Sequence, residues 1–184
     1  MTTRCSEEKV SKRRMWRAKQ DALCYDGVRL AESPGKGLGV FAERDFQKGD
    51  VVTIYPAHAV YVEDVDAGDG RTAWRAAPGY SLEHMRRMIN DYCMDVPGGI
   101  VAADPDRVDQ GLGHMINDGA RSSAPATERL YNRLSPAKEN AAPHTLVCGT
   151  EFLVQIRATR DIKTGEELFF SYGLPFWRKK YGGD

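Results

Sequence analysis

Short runs of apolar and β-branched residues dominate the hydrophobic pattern of the chain, and turn residues separate them at intervals of roughly 8–12 positions. The clearest runs predict short strands at 28–30, 39–42, 51–55, 100–103 and 152–159. Strands do not alternate regularly with amphipathic helices, so the pattern does not indicate a doubly wound parallel sheet. It predicts a single, mainly β domain of short strands and tight turns.

Two segments depart from this strand pattern. Ser81 precedes apolar residues at helical spacing, which predicts the N-cap of a short helix. The segment 118–139 is polar, contains two prolines and has no clear period. We therefore expect a long connection there, of a kind that is usually functional or mobile.

Charge is balanced over the whole chain but not along it. The 184 residues carry 26 Lys and Arg against 26 Asp and Glu, and residues 1–20 hold seven of the basic and two of the acidic side chains. The other residues therefore hold 19 basic and 24 acidic side chains. A net acidic body suits a basic protein or peptide substrate, although an offset of this size is also usual for a solvated surface.

The basic segment 1–24 is predicted to be a solvated N-terminal tail. A nuclear address and a direct contact with nucleic acid are the alternatives for its lysines and arginines. The sequence leaves direct nucleic-acid binding open.

The four cysteines are widely spaced, and no two of them form a Cys-x-x-Cys pair. Neither a zinc cluster nor a disulfide framework is indicated, so we expect no metal and a reduced, intracellular protein. No apolar run is long enough to span a membrane, and no signal peptide is recognisable. We therefore expect no membrane association.

A glycine-rich segment, Gly35-Lys36-Gly37-Leu38-Gly39, is the first candidate for a binding site. It is not a phosphate-binding loop, because no Gly-Lys-Ser/Thr follows, and a strand rather than a helix comes after it. Taken alone, it predicts a turn with glycines at positive φ.

Two later segments carry further polar and aromatic candidates. Residues 113–118 read Gly-His-Met-Ile-Asn-Asp, and residues 165–173 read Gly-Glu-Glu-Leu-Phe-Phe-Ser-Tyr-Gly. Asn140 lies between them. Taken alone, Asn117 is typical of a turn and Tyr172 of half-buried packing.

In this order the three segments resemble the SET-domain protein lysine methyltransferases. That family opens with a strand-flanked Gly-x-Gly, has an Arg-Phe-Ile-Asn-His-like segment in the middle and ends with Gly-Glu-Glu-Leu-x-x-x-Tyr. The resemblance runs from about Val28 to Trp177. It departs from the family at His114, where an Arg is usual, and at Asp118, where a His is usual.

The resemblance implies a β-clip fold of several small sheets, with a short helical insert at about 72–90 and a C-terminal pseudoknot. It divides the chain into the N-terminal segment 1–24, a SET-like catalytic domain at 25–177 and a C-terminal tail at 178–184. Asn140 would correspond to the family's Asn on one of the two segments of the knot. A purely structural role, in which it makes hydrogen bonds within the knot, is an equally good interpretation.

S-adenosylmethionine is the cofactor that the resemblance implies. Its expected binding residues are Lys36, Gly37, Leu38, Gly39, Asn117, Asp118, Tyr172 and Trp177. The glycine backbone would approach the cofactor closely, and Lys36 would meet its carboxylate. Asp118 would offer its backbone groups to the adenine, which does not require a His ring.

Tyr172, Tyr55 and Phe170 are the catalytic residues that the resemblance implies. Keeping a lysine amine neutral at pH 7 costs about 3.4 pKa units, or ~4.6 kcal/mol, and a sulfonium charge and an apolar channel both favour the neutral form. Tyr172 would align the reactants and Tyr55 would line the lysine channel. Phe170 stands where a Phe rather than a Tyr leaves room for di- or trimethylation. Phe176 and Trp177 would either complete this channel or anchor the end of the domain.

The resemblance therefore implies a protein lysine N-methyltransferase, with a histone tail in the nucleus as the favoured substrate. Two alternatives stay open. The substrate would otherwise be a non-histone protein, or the chain would be an inactive SET-like module that binds a peptide.

Overall fold

The structure is a computed structural model that describes residues 6–22, 27–63, 72–76, 79–97, 99–120 and 128–181. Within these ranges the strands are β1 Ser6–Lys9, β2 Val28–Ser33, β3 Gly37–Ala42, β4 Val51–Tyr55, β5 Ala59–Glu63, β6 Thr72–Ala76, β7 Cys93–Val96, β8 Gly99–Ala102, β9 Ala141–Cys148 and β10 Glu151–Ala158. The helices are α1 Lys12–Ala22, α2 Leu82–Asp91, α3 Glu128–Lys138 and α4 Leu174–Tyr181, with a 3-10 turn at Gly113–Met115. None of the described helices is both long and apolar enough to cross a membrane.

The strands form three small sheets. Their orders are β1-β9-β10-β4, β2-β3 and β6-β5-β8-β7. β1 runs parallel to β9, and the other described pairs are antiparallel. The prediction of a mainly β fold of several small sheets is confirmed.

A shared core joins the strands to the segments that carry the candidate site. Val40 of β3, Val52 of β4 and Ile156 of β10 are each at most 1 % exposed. Ile116 and Leu168 belong to the same apolar cluster and are fully buried. Since they adjoin Asn117 and Phe169, the core fixes the position of both segments.

The N-terminal segment is part of the fold, so the prediction of a solvated tail is wrong for its described residues. β1 pairs with β9 from Ser6 to Lys9. On α1, Met15 is 1 % exposed and Ala18 is 8 % exposed, and both pack against Leu146 of β9. This apolar face was not predicted, because the segment is mainly basic and only two residues, three positions apart on the helix, form the face. Trp16, on the opposite face, is 63 % exposed.

Helices account for the largest differences from the sequence predictions. The predicted connection at 118–139 contains α3, and Tyr131 and Ser135 lie buried one turn apart on it. Pro136 lies inside α3, in its last turn, where it cannot donate the usual backbone hydrogen bond to the preceding turn. The predicted insert at 72–90 begins with β6, and its helix α2 is capped by Ser81, whose Oγ accepts from the His84 amide at 3.1 Å. α4 continues into the predicted C-terminal tail.

Two segments far apart in sequence run side by side. Asn117 forms a parallel bridge with Phe169, and the amide of Phe170 donates to the Asn117 carbonyl at 3.1 Å. Asn140 ties in a third segment, because its Nδ2 donates to the Glu167 carbonyl and its Oδ1 accepts from the Phe169 amide, both at 2.8 Å. Asn140 thus has the hydrogen-bonding role that was one of its two interpretations. This crossing of the 117, 140 and 167–170 segments corresponds to the predicted C-terminal knot.

Candidate active site

The glycine segment forms the predicted turn between β2 and β3. Gly35 and Gly37 have φ of +74° and +81°, a backbone region that favours glycine. No atom lies within 4 Å of a Cβ built on Gly37. A Cβ on Gly39 would overlap the Glu167 carboxylate and approach Asn117 Nδ2 to 2.9 Å. A larger residue at position 39 would have to displace these two hydrogen-bonded side-chain ends, a packing reason that the sequence did not indicate.

Asn117 joins this turn to the later segment. Its Nδ2 donates to the Leu38 carbonyl and to Glu167 Oε1, each at 3.0 Å. Ser33 donates to the second carboxylate oxygen of Glu167 at 2.9 Å. Asn117 and Glu167 together hold β2, β3 and the 167–170 segment in register.

The side chain of Asp118 is the most heavily bonded group of the site, and the sequence did not predict this. It is 2 % exposed. Its Oδ1 accepts from the Ala120 amide at 2.8 Å and from Ser135 Oγ at 2.6 Å. Its Oδ2 accepts from the Tyr131 hydroxyl at 2.7 Å, and from the Tyr172 amide and Trp177 Nε1 at 2.9 Å each. One carboxylate therefore connects α3, α4 and the Tyr172 segment. Only the spatial arrangement reveals this, since two of these donors stand more than 50 residues away.

Lys36 reaches from the glycine turn to the 118–120 segment. Its Nζ donates to the carbonyls of Asp118 and Ala120 and lies 5.4 Å from the centre of the Phe169 ring. Burial lowers the pKa of Lys36, and the nearby Asp118 charge opposes that shift. The ammonium group thus stands beside the backbone that was predicted to face the adenine.

Tyr172 is held by aromatic rings and by one strong hydrogen bond. Its hydroxyl donates to the Ile116 carbonyl at 2.6 Å. The Trp177 ring stacks on it at 5.9 Å between centroids, Phe176 meets it edge-on at 4.8 Å, and Phe170 lies 5.4 Å away. Burial raises the pKa of Tyr172 and the Asp118 charge raises it further, so the hydroxyl stays protonated. It is a hydrogen-bond donor and not a base.

Two pockets meet at Tyr172. The large pocket has a volume of about 540 Å³, and six predicted cofactor residues line it: Lys36, Leu38, Asn117, Asp118, Tyr172 and Trp177. The small pocket has a volume of about 250 Å³, and its walls include the three predicted catalytic residues, Tyr55, Phe170 and Tyr172. Gly37 and Gly39 are not among the lining residues. Five residues line both pockets and therefore mark their junction: Asp91, Tyr92, His114, Tyr172 and Phe176.

Tyr55 and His114 form the buried wall near this junction. Tyr55 is 4 % exposed, and its hydroxyl donates to the Tyr92 carbonyl at 2.8 Å. The His114 ring lies 6.3 Å from the rings of both Tyr55 and Tyr92. Burial lowers the pKa of His114 to about 4, so the imidazole is neutral near pH 7.

One group of the described residues has the spacing of a metal site, although the sequence predicted no metal. Atoms of His84, Asp104 and Asp106 lie within 4.8 Å of one another. His84 Nε2 is 2.9 Å from Asp104 Oδ1, and Arg87 is paired with Asp106 at 3.0 Å. A contact between His84 and Asp104 and an ion pair between Arg87 and Asp106 therefore account for this cluster.

A family model for the SET domain matches residues 37–173, which is more than half of the chain. The chain belongs to the SET domain family. This SET domain is 28% identical over 148 residues to the N-lysine methyltransferase KMT5A-A of Xenopus laevis, covering 80% of the chain and 36% of that relative. It is 25% identical over 149 residues to the histone-lysine N-methyltransferase Set8 of Drosophila melanogaster, covering 80% of the chain and 18% of that protein. It thus spans only about a third or less of these relatives.

The SET domain also matches the crystal structure of CpSET8 from Cryptosporidium. The TM-score is 0.49 at 19% identity, with 79% of the chain and 57% of that structure covered.

Proposed function

We propose that the chain is a protein lysine N-methyltransferase that transfers a methyl group from S-adenosylmethionine to a lysine side chain. One observation carries this proposal. The residues expected to bind the cofactor line the large pocket, those expected to act on lysine line the small pocket, and Tyr172 lines both. Two reactants that enter from different sides would meet at the Tyr172 hydroxyl.

The large pocket suits S-adenosylmethionine in size and chemistry. Its volume of about 540 Å³ lies within the usual range of small-molecule sites. Lys36 would hold the cofactor carboxylate, and Asn117 would fix the neighbouring backbone. The aromatic faces of Phe176 and Trp177 suit a sulfonium cation, which ring quadrupoles attract. When bound, the cofactor supplies an electrophilic methyl group.

The small pocket would prepare the lysine amine. Tyr55, Phe170 and Tyr172 give it aromatic walls, which exclude water and favour the neutral amine. The protonated Tyr172 hydroxyl, fixed on the Ile116 carbonyl, would define the end of the channel. Alignment of donor and acceptor of this kind is worth about 7–11 kcal/mol in well-oriented reactions, so no strong base is needed.

Phe170 supports a di- or trimethyllysine product. It is 5 % exposed, lines the small pocket and has no hydroxyl that would hold a water beside the amine. A methylated amine would therefore have room to turn its lone pair toward a second methyl group.

A histone tail is the substrate that we favour. The body of the chain is net acidic, and Asp91, Asp95 and Lys179 line the small pocket, with Asp91 paired to Lys180 at 3.4 Å. A basic peptide would be attracted to the net acidic body of the chain. The names of the relatives include a histone-lysine methyltransferase, and a histone substrate would place the protein in the nucleus.

A basic non-histone protein is the second candidate, because it would fit the same charges. An inactive binding module is the third. The joined pockets argue against it, since Tyr172 and Asn117 have no chemical reason to meet at a site freed from catalysis.

Transfer of a radiolabelled methyl group to a core-histone mixture and to a ribosomal extract would test the proposal. Mass spectrometry of the labelled product would locate the lysine. We expect transfer to the histones, together with calorimetric binding of S-adenosylmethionine. Transfer only to ribosomal proteins would favour the second candidate, and no cofactor binding at all would refute the enzyme.

A further inference from the structure

His114 stands where the two pockets join, and the proposed chemistry above does not use it. It lines both pockets, yet its side chain is only 4 % exposed. Its neighbours across the wall are the rings of Tyr55 and Tyr92. A polar ring is thus built into an aromatic wall at the point where donor and acceptor would meet.

Among the described residues, neither ring nitrogen of His114 makes a hydrogen bond of ordinary geometry, although the Asp104 backbone lies close enough to raise the pKa of the ring. A buried polar group without a partner costs free energy, and native structures contain few of them. Packing alone would favour a Phe or a Leu at this position. The imidazole therefore points to a partner that arrives from outside the chain.

The hydroxyl groups of Tyr172 and Tyr55, which line the same wall, already donate hydrogen bonds within the chain. Tyr172 donates to the Ile116 carbonyl, and Tyr55 donates to the Tyr92 carbonyl. Both donate their hydrogen to the backbone and keep only an oxygen lone pair, which is a weaker acceptor for an amine N–H than a neutral imidazole nitrogen. Among the described residues at the junction, His114 is the one that offers an imidazole nitrogen, and neither of its nitrogens makes a hydrogen bond of ordinary geometry.

We propose that one ring nitrogen of His114 accepts an N–H hydrogen bond from the substrate amine, and that this bond turns the amine lone pair toward the methyl donor. This inference rests on the proposed function and adds a residue to its site.

The bond orients the amine and does not remove its proton. The amine nitrogen forms a bond to the methyl carbon while the carbon–sulfur bond breaks, and both electrons of that bond stay on sulfur. The product nitrogen carries the positive charge and loses its proton later to solvent. A neutral imidazole is well suited to this role, because a neutral ring nitrogen offers a lone pair without adding charge.

His114→Phe and His114→Gln test the inference, with a core-histone mixture as the methyl acceptor. We expect His114→Phe to bind S-adenosylmethionine within about twofold of the wild type and to lower kcat at least tenfold. Its melting temperature should equal or exceed that of the wild type, because an unpaired buried polar group has been removed. His114→Gln, which keeps an amide acceptor, should retain more activity than His114→Phe.

His144→Phe on β9 is the matched control. His144 lies outside both pockets and contacts Ser6 and Glu8, so its replacement should lower the melting temperature and leave methyl transfer unchanged. Wild-type kcat in His114→Phe, or a melting temperature that falls as in His144→Phe, would overturn the inference. If the wild type itself transfers no methyl group, the proposed function fails first, and the two failures are therefore distinguishable.

Discussion

The backbone amide of Tyr172 donates a hydrogen bond to Oδ2 of Asp118 at 2.9 Å. The segment that carries the candidate catalytic hydroxyl is therefore fixed by the residue next to Asn117. The same oxygen accepts from Trp177 Nε1 at 2.9 Å, so the ring stacked on Tyr172 is fixed by the same carboxylate. Asp118 thus positions both the tyrosine and the aromatic wall behind it.

Replacing Asp118 should lower the stability of the protein, because its carboxylate joins three segments. Asp118→Asn keeps one acceptor oxygen but sets an amide NH₂ group against donors, so we expect a loss of about 1.5–3 kcal/mol of unfolding free energy. Urea denaturation measures it. Asp21→Asn, on the exposed face of α1, is the control and should change stability by less than about 0.5 kcal/mol. Equal stability of the two variants would contradict the role of Asp118.

Tyr172→Phe removes one hydroxyl and little volume. It should leave the fold and S-adenosylmethionine binding intact, although the Ile116 carbonyl loses its donor. Turnover should fall by orders of magnitude, because each ~1.4 kcal/mol lost from the transition state is tenfold in rate. Calorimetry and a methyl-transfer assay measure the two effects. Near wild-type turnover would remove Tyr172 from the mechanism.

Phe170→Tyr should change the product rather than the first transfer. A hydroxyl in the small pocket would hold a water where a second methyl group must fit, so the product should shift from di- or trimethyllysine toward monomethyllysine. Mass spectrometry over a long time course decides this. If the wild type stops at one methyl group, another side chain, with Tyr55 as our candidate, closes the pocket.

Met15→Ala tests whether α1 belongs to the domain. The Met15 side chain is 1 % exposed, so its truncation should cost about 2–5 kcal/mol of unfolding free energy. Trp16→Ala, one position along, removes a larger side chain that is 63 % exposed and should cost far less. Thermal or urea unfolding of the pair measures the difference. The reverse order would mean that α1 is not docked in solution.

Acid should destabilise the protein partly through His114. Burial lowers its pKa to about 4, the His58 charge adds to that shift and Asp104 opposes it. Between about pH 6.5 and 4 the unfolded chain binds a proton at this position that the folded chain does not, so stability falls as the pH falls through that window. The full effect is of the order of 3 kcal/mol. Urea denaturation at pH 7 and pH 5 should show a smaller loss for His114→Phe than for the wild type.

The sequence predicted those elements whose signals are local. The turn at Gly35 and Gly37, the strand at Val51–Tyr55 and the Ser81 cap each follow from a few neighbouring residues, and the structure contains all three. Eight of the ten site residues that the family resemblance identified also line one or both of the two pockets.

The elements that the sequence missed depend on distant partners. Tyr131 and Ser135 anchor α3 through hydrogen bonds to the Asp118 carboxylate. No local sequence pattern predicts these two bonds. β9 contains Pro143 and several polar residues, so its alternation is weak, yet it is paired on both sides, by β1 and β10. In α1, the many basic residues outweighed Met15 and Ala18, the two side chains that pack the helix against β9.

The pairing of Asn117 with Phe169 also has a consequence for the time course of folding. These residues are 52 positions apart, and Asn140 joins Phe169 from 29 positions away. Such distant contacts require large loops to close first, and they are among the slow events of folding. The hairpin of β2 and β3 can form early, because its residues are neighbours in sequence. Both pockets can form only after the Asn117 and Phe169 segments have paired. We expect a kinetic intermediate with native strands and no ability to bind ligand, so that recovery of cofactor binding lags behind recovery of secondary structure during refolding.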